Sequence, residues 1–321
     1  MNLKGKKFIL LGGAGFIGSH TLDRLLKEDV AKIIIFDDFS RGSFDNIQQA
    51  LNDPRVSIYE AGGNILQVDI LNQALKNVDG VFHFAALWLL QCHDFPRSAF
   101  DININGTFNV IEACVKNKVK RLVYSSSASV YGDTLNDPMS EDHPFNNKNF
   151  YGASKICGEA MLRAFHFRYG LEYVGLRYMN VYGCRQDYKG IYISVIMKML
   201  DAIDQNVSPV INGDGSETFD FISVEDCAEA NILAMKSNIS DSFYNVCTGK
   251  KTSLKKLAEL LLEMKNSNLP INYLSRHEKD LVRNRVGDPS KANQQLGFTS
   301  TIALEDGLKS LIKWRDCEKN I

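Results

Sequence analysis

The chain has no paired cysteine motif, no histidine pair at metal-ligand spacing and no long apolar run. Its seven cysteines stand singly, without Cys-x-x-Cys, which removes the usual zinc-binding patterns and a disulfide framework. An odd, scattered set is expected to be reduced thiols of a cytoplasmic protein. No stretch approaches the roughly 18 apolar residues of a membrane helix, so no membrane association is expected. Net charge is −1, from 37 Lys+Arg against 38 Asp+Glu. A basic footprint for nucleic acid is therefore missing, and no nucleic-acid partner is expected. Internal repeats and low-complexity tracts are absent. The start, Met1 to Lys7, runs straight into an apolar segment, so no signal peptide is expected. What remains is a chain of 321 residues, 45% hydrophobic, able to bury a large core in one domain or two lobes.

Short apolar runs alternate with helical patterns through the first half. This predicts an α/β fold with a doubly wound parallel sheet. The run Lys7–Leu11 leads into Gly12-Gly13-Ala14-Gly15-Phe16-Ile17-Gly18 and then a helical pattern through Leu22, Leu25 and Leu26. Strand, glycine turn and helix together form a dinucleotide-binding (Rossmann) unit, in which pyrophosphate sits on the helix N-terminus. The next strand, Lys32–Phe36, ends at Asp37, close to the roughly 20-residue offset of an acid that holds a ribose 2′-hydroxyl. An acid there repels a 2′-phosphate and favours NAD over NADP, with Arg41 close by as the contrary signal. Further strands are expected at Val56–Tyr59, Gly80–Phe84, Arg121–Tyr124 and Glu172–Leu176. From about Tyr178 the pattern loosens into a smaller C-terminal α/β lobe, with amphipathic helices at Leu254–Met264 and Leu304–Trp314. The expected division is a NAD-binding domain over 1–177, with a returning segment near 220–236. The substrate lobe then takes 178–219 and 237–321.

Tyr151 and Lys155 lie four residues apart, downstream of Ser125-Ser126-Ser127. On a helix this puts a phenol and an ammonium on one face. A nearby cation favours phenolate, so the Tyr151 pKa is expected to fall from about 10 towards the working pH. Such a phenol can exchange a proton with a sugar hydroxyl.

These residues resemble the extended short-chain dehydrogenase/reductase family, within its NAD-dependent nucleotide-sugar epimerases and dehydratases. The likeness spans nearly the whole chain and rests on the shared order of several motifs. They include the glycine turn, Asp37, Asn64-Ile65, His83-Phe84-Ala85-Ala86, Asn103-x-x-Gly106-Thr107-x-Asn109 and Tyr124 to Gly132. Tyr151-x-x-x-Lys155, Arg177 to Gly183, Gly213-Asp214-Gly215, Val224-Glu225-Asp226 and Asn245-Val246 complete the series. The resemblance implies that Gly12, Gly15, Phe16, Ile17 and Gly18 cradle the NAD pyrophosphate and that Asp37 binds the adenosine ribose. Asn64, with Ile65, stands near the adenine where the family usually has aspartate; its amide oxygen keeps an acceptor there. Phe84, Ala85 and Ala86 line the cofactor channel. Ser127 bonds the reacting sugar oxygen, Tyr151 is the acid/base, and Lys155 binds the nicotinamide ribose while lowering the tyrosine pKa. Asn180 contacts the sugar nucleotide, while Asn103 and Asn109 brace loops and helix ends. Helices over Arg97–Val119 and Tyr151–Tyr169 resemble those of family dimers, so a homodimer is expected.

The resemblance implies a common first step, oxidation at carbon 4 of the sugar to a ketone, after which paths diverge. Dehydratases and decarboxylases of the family usually carry acids after the catalytic serine or threonine; here Ala128 and Ser129 occupy those places. The site is thus closest to the UDP-glucose 4-epimerase form, with 4,6-dehydration or decarboxylation as the alternative and a non-catalytic NAD-binding protein the remotest reading. Phe219 stands where the family commonly places an arginine on the substrate diphosphate; Arg185, Arg276, Arg283 and Arg285 are the candidates to replace it. Cys184 replaces a usual proline, as a packing residue. The apolar stretch Leu87 to His93 puts Trp88 where family loops border the sugar. This makes Trp88 a candidate pocket wall for an N-acetyl or deoxy sugar, against core packing or a dimer contact. His93 and His143 have no visible partners and are expected to be structural. UDP is the expected carrier, with GDP or CDP left open by Phe219.

Overall fold

Runs rich in isoleucine, leucine, valine and phenylalanine become strands buried on both faces, as the covered strands of a parallel sheet require. The structure, a computed structural model, describes residues 1–187, 193–276 and 282–319. In chain order the first six strands are β1 (Lys7–Leu11), β2 (Lys32–Phe36), β3 (Val56–Ile58), β4 (Gly80–His83), β5 (Arg121–Ser127) and β6 (Tyr173–Tyr178). β7 (Asn180–Tyr182), β8 (Val210–Asn212), β9 (Thr218–Phe219) and β10 (Phe221–Ser223) follow, then β11 (Ser242–Val246), β12 (Thr252–Ser253), β13 (Asn272–Leu274) and β14 (Asn284–Arg285). The main sheet has seven parallel strands in the order β11-β6-β5-β4-β1-β2-β3. The order reverses about β1 and β4, so a crevice opens at their carboxyl ends, where open sheets of this type bind ligands.

Helices cover both faces. α1 (Phe16–Leu25) packs with α8 (Val224–Lys236) on one face, burying Leu22, Leu25, Ala230 and Ala234 against Phe8 and Leu10. On the other, α2 (Val68–Ala74), α5 (Thr107–Lys116) and α6 (Phe150–Tyr169) bury Leu71, Val110, Ile111 and Leu162 against Ile9, Val81 and Leu122. Between them run the short α3 (Leu89–Asp94) and α4 (Pro96–Ala99). The lobe is built from α7 (Val195–Asp204), α9 (Leu254–Met264) and α11 (Leu304–Lys319), while α10 (Ser290–Leu296) packs on β11 and α8 of the main sheet. Its separate core joins Met197, Leu200, Leu257, Leu261, Leu308 and Leu311.

Two expectations need correction. The helix expected over Arg97–Val119 begins at Pro96, widens into a π-helical stretch from Phe100 to Gly106, and resumes as α5 to Lys116. Wide turns of this kind gather at functional sites, and this one turns the Asn103 amide onto the Leu87 backbone. The lobe boundary expected at 237 also moves. α8 packs against α1, β5 and β6, and β11 then pairs in parallel with β6 from Ser242↔Val174 to Val246↔Tyr178. A strand with Phe243 to Val246 all buried is satisfied only inside a covered sheet.

Candidate active site

The glycine turn forms the floor of the crevice. Gly12 takes a positive φ of 79°, and a Cβ there would lie 2.7 Å from the Ala85 nitrogen. At Gly18 a Cβ would lie 2.3 Å from the Gly12 carbonyl, so only glycine lets α1 start this close to β1. The Phe84 and Ala85 amides both bond the Leu11 carbonyl, at 2.8 and 2.9 Å, which sets Phe84, Ala85 and Ala86 beside the turn. No side chain caps the N-terminus of α1 and no acid lies in its first turn. The amides of Phe16, Ile17 and Gly18 are therefore the first-turn donors that a helix offers to an anion.

Asp37 directly follows β2 and is only half-buried. Its carboxylate accepts the Ala14 amide at 2.8 Å and the Phe39 amide at 2.9 Å, so it is fixed beside the glycine turn. Burial raises its pKa, with those two amides opposing. Asn64 commits its amide oxygen to the Leu66 amide at 2.9 Å and makes no bond through its nitrogen among the described residues. The acceptor expected of it is thus already engaged. The Ile65 side chain is in the core and its carbonyl accepts from Asn109 at 3.1 Å. The open helix N-terminus, the collision-limited glycines and the fixed acid fit a dinucleotide with a free 2′-hydroxyl.

Ser127, Tyr151 and Lys155 converge above β4 and β5. Ser127 ends β5, and its Oγ accepts the Ser129 amide at 3.1 Å. Asn149 caps α6 through the Gly152 amide at 2.8 Å. A Cβ on Gly152 would lie 2.4 Å from the Ser129 carbonyl, so glycine allows the start of α6 to press against the Ser127 turn. Tyr151 thereby lies close enough to Ser127 for the serine hydroxyl to favour the phenolate. One turn on, Lys155 is buried; its Nζ donates to the Ser125 carbonyl at 2.7 Å and lies 5.6 Å from the Tyr151 ring centroid.

The electrostatics differ from the expectation. Burial pushes the Tyr151 phenol up to about 12, assisted by Cys92 and opposed by Ser127 and Arg285. Burial also lowers Lys155 to about 8, against the raising influence of Cys92 and Glu159. The i,i+4 spacing places the lysine beside the ring, but burial governs the pKa of the phenol.

Sequence reasoning missed the groups behind the site. Arg177 on β6 makes a bidentate pair with Glu159 on α6, Nε to Oε1 at 2.9 Å and Nη2 to Oε2 at 2.7 Å, both residues buried. Ser126 Oγ donates to the same Oε1 at 2.5 Å. Arg177 Nη1 also donates to the Tyr131 hydroxyl at 2.8 Å, which donates to Asn245 at 2.7 Å. The one sequence signal was Glu159 falling four residues after Lys155. Cys92 is the other unforeseen neighbour, with its thiol raised to about 11 by burial. Asn103 reaches Leu87, Cys92 and Ser154, the bracing role expected of it. His143 does have partners: its Nε2 accepts the Leu135 amide at 2.9 Å.

The expected substrate residues divide. Asn180 is half-buried on β7, paired with Phe221 of β10. Trp88 is half-buried with the Arg41 guanidinium 5.0 Å from its ring centroid. Arg41 also pairs with Asp187 at 3.1 Å. Arg185 pairs with Asp23 at 2.7 Å, on α1. Arg276 is half-buried and already engaged. Phe219 lies on β9, between β12 and β14.

Comparison with known proteins agrees with this geometry. The model of the NAD dependent epimerase/dehydratase family matches residues 8–247. A Methanocaldococcus jannaschii protein provisionally named a UDP-glucose 4-epimerase is 35% identical over 309 residues, 95% of this chain and 97% of its own. A solved UDP-N-acetylglucosamine 4-epimerase of Methanobrevibacter ruminantium, in complex with UDP-N-acetylmuramic acid, superposes with a TM-score of 0.92. It is 34% identical, over 98% of this chain and 99% of its own. The Thermotoga maritima UDP-glucose 4-epimerase with UDP-glucose gives 0.90 at 30% identity, over 98% and 99%. The glycine turn, the fixed acid and the Ser127/Tyr151/Lys155 cluster lie within or beside the matched span, and the chain belongs to the NAD dependent epimerase/dehydratase family.

Proposed function

We propose that the protein is a 4-epimerase of a nucleotide sugar, a UDP sugar by the names of its relatives. One observation carries this reading: Tyr151 and Ser127 meet at a turn whose next residues, Ala128 and Ser129, are buried and bear no carboxyl group. Elimination of water needs a base at carbon 5 and an acid at the departing hydroxyl. The nearby carboxylate Glu159 is clasped by Arg177 and Ser126, so it is not free for that work. When bound, NAD supplies acceptance and return of hydride at the sugar carbon. The chain's own residues supply the rest. Ser127 donates to the sugar oxygen, Tyr151 takes and returns the hydroxyl proton, and Lys155 holds the ribose while fixed to the Ser125 carbonyl. Gly12, Gly15, Phe16, Ile17, Gly18 and Asp37 hold the dinucleotide, with Phe84 to Ala86 beside it; Asn180 and Trp88 border the sugar.

The test is incubation of the NAD-loaded protein with UDP-glucose and UDP-N-acetylglucosamine, followed by mass spectrometry and proton NMR. An isomer of equal mass, inverted at carbon 4, is expected. A product lighter by water or carbon dioxide would replace the reading with the dehydratase or decarboxylase alternative. A homodimer belongs to the same reading, supported by the exposed Phe100, Phe108, Phe167 and Tyr169 on the π stretch, α5 and α6. Sedimentation of the intact chain checks it. Seven unpaired cysteines support a reducing, cytoplasmic setting.

A further inference from the structure

Arg41 follows the acid Asp37 by four residues, a position from which a guanidinium can serve a ribose 2′-phosphate. The fold gives it other partners. Its Nη2 pairs with Asp187 Oδ2 at 3.1 Å, its Nη1 donates to Gln91 Oε1 at 3.3 Å, and its Cζ lies 5.0 Å from the Trp88 ring centroid. These groups come from three separate parts of the chain. Arg41 belongs to the loop after β2, Trp88 and Gln91 sit at the start of α3 beyond β4, and Asp187 follows β7. In the sheet β2 and β4 are not neighbours, because β1 lies between them and ends in the glycine turn. Two strand spacings make roughly 10 Å, so the Arg41–Trp88 contact crosses the end of β1, where α1 offers its first-turn amides. The loop that carries Arg41 is pinned to the same turn. The Ser43 amide and the Asn46 side-chain amide both donate to the Ala14 carbonyl, at 3.2 and 2.9 Å.

The segment 184–187 meets this bridge from the other wall of the crevice. His20 Nε2 on α1 donates to the Cys184 carbonyl at 2.9 Å, and Arg185 pairs with Asp23 of α1 at 2.7 Å. The Cys184 thiol in turn donates to the Ser310 carbonyl of α11 at 3.6 Å. Arg185 takes a positive φ of 63°, which a long side chain rarely adopts unless its surroundings impose it. Backbone held in this way gathers at ligand clamps and switch segments.

We propose that residues 184–187, closed onto Arg41 and Trp88, form a latch across the dinucleotide cleft that sets how fast NAD enters and leaves. The latch presupposes that the glycine turn holds the dinucleotide, and it goes beyond the epimerase reading. The reaction proposed above returns its hydride within each turnover, so exchange of the cofactor serves no step and a closed cleft keeps it in place. The Arg41–Asp187 pair is the part that can open. Its side chains are 34% and 38% exposed, so the pair is weak and is screened by salt. With Arg41 engaged in this way, its charge is spent on the latch and not on a 2′-phosphate.

Release is measured on the NAD-loaded protein by a chase with isotopically labelled NAD, the retained cofactor being read by mass spectrometry. Equilibrium dialysis gives the affinity, and the two together give the entry rate. D187N should release NAD about two- to fivefold faster, the range of an exposed pair. R41Q should release it about five- to tenfold faster, because the ring contact is lost as well. Entry should quicken by a similar factor, leaving affinity within about threefold of wild type, since a gate acts on both rates. R41D/D187R, with the pair reversed, should exchange more slowly than R41D alone. In the wild type, release should quicken as salt rises from about 0.05 to 0.5 M, and D187N should respond less. That salt response is read on the unaltered chain and needs no variant to fold. Release within about 1.5-fold of wild type in both single variants, with no salt response, would overturn the latch. Faster release at an unchanged entry rate would also overturn it, making Arg41 a direct cofactor contact. A loss in R41Q confined to NADP binding would do the same, assigning the guanidinium to a 2′-phosphate. Wild-type protein that retains no NAD would instead remove the dinucleotide assignment itself. No sugar nucleotide enters the measurement, so its outcome is independent of the epimerase test.

Discussion

Replacing either partner of the buried Arg177–Glu159 pair should damage both stability and turnover, and the size of each effect follows from the contacts. Both side chains are nearly inaccessible, at 4% exposure each, and they meet through two parallel bonds of 2.9 and 2.7 Å. Arg177→Met leaves the Glu159 carboxylate with only the Ser126 hydroxyl; Glu159→Gln leaves the guanidinium facing a neutral amide. Removing one member of a buried pair strands the other charge, at about 3–5 kcal/mol. Replacing both by Met removes the pair without stranding a charge, and the Tyr131 hydroxyl still donates to Asn245. The double variant should therefore lose less than the sum of the singles, with a coupling of at least about 2 kcal/mol. Urea unfolding of the four proteins, followed by circular dichroism, measures this. The pair also ties α6, which carries Tyr151 and Lys155, to β5 through Ser126, the residue before Ser127. A displacement near 1 Å can cost on the order of 100-fold, so kcat should fall by roughly tenfold or more while KM changes little. Singles that each lose less than about 1 kcal/mol, or additive losses, would show that the pair is not the clasp described.

Tyr151→Phe should retain NAD and UDP binding while turnover falls by about 10²–10⁴-fold, the usual worth of a positioned acid/base; turnover close to wild type would remove the proton-transfer role. Gly18→Ala places a Cβ 2.3 Å from the Gly12 carbonyl, so the glycine turn must open and NAD affinity should drop sharply in calorimetry. For pH, His83 is buried, and burial followed by the Lys155 charge lowers it to about 3 from 6.5. Between those values the unfolded chain binds a proton that the native one does not, so stability rises with pH through the window and is lost on acidification. His83→Gln should shallow the acid limb of a stability–pH curve between about pH 3 and 6.5, and an unchanged slope would refute the linkage.

Much of this protein was fixed by local pattern. Strand, glycine turn and helix at the N-terminus, the acid at Asp37, and the shared helix face of Tyr151 and Lys155 depend on neighbours within a few turns of chain, and periodicity reports such neighbours directly. The helices Leu254–Met264 and, from its start at Leu304, α11 were legible for the same reason. Contacts between residues far apart in the chain were decided only in three dimensions. Folding brought Arg177 onto Glu159, set β11 at the sheet edge, and put Arg285 opposite Phe219, although no spacing links these pairs. The Tyr151 pKa belongs to the same class. Its lysine is a local neighbour, but desolvation sums over everything packed around the phenol, and that sum exists only once the chain has closed over it.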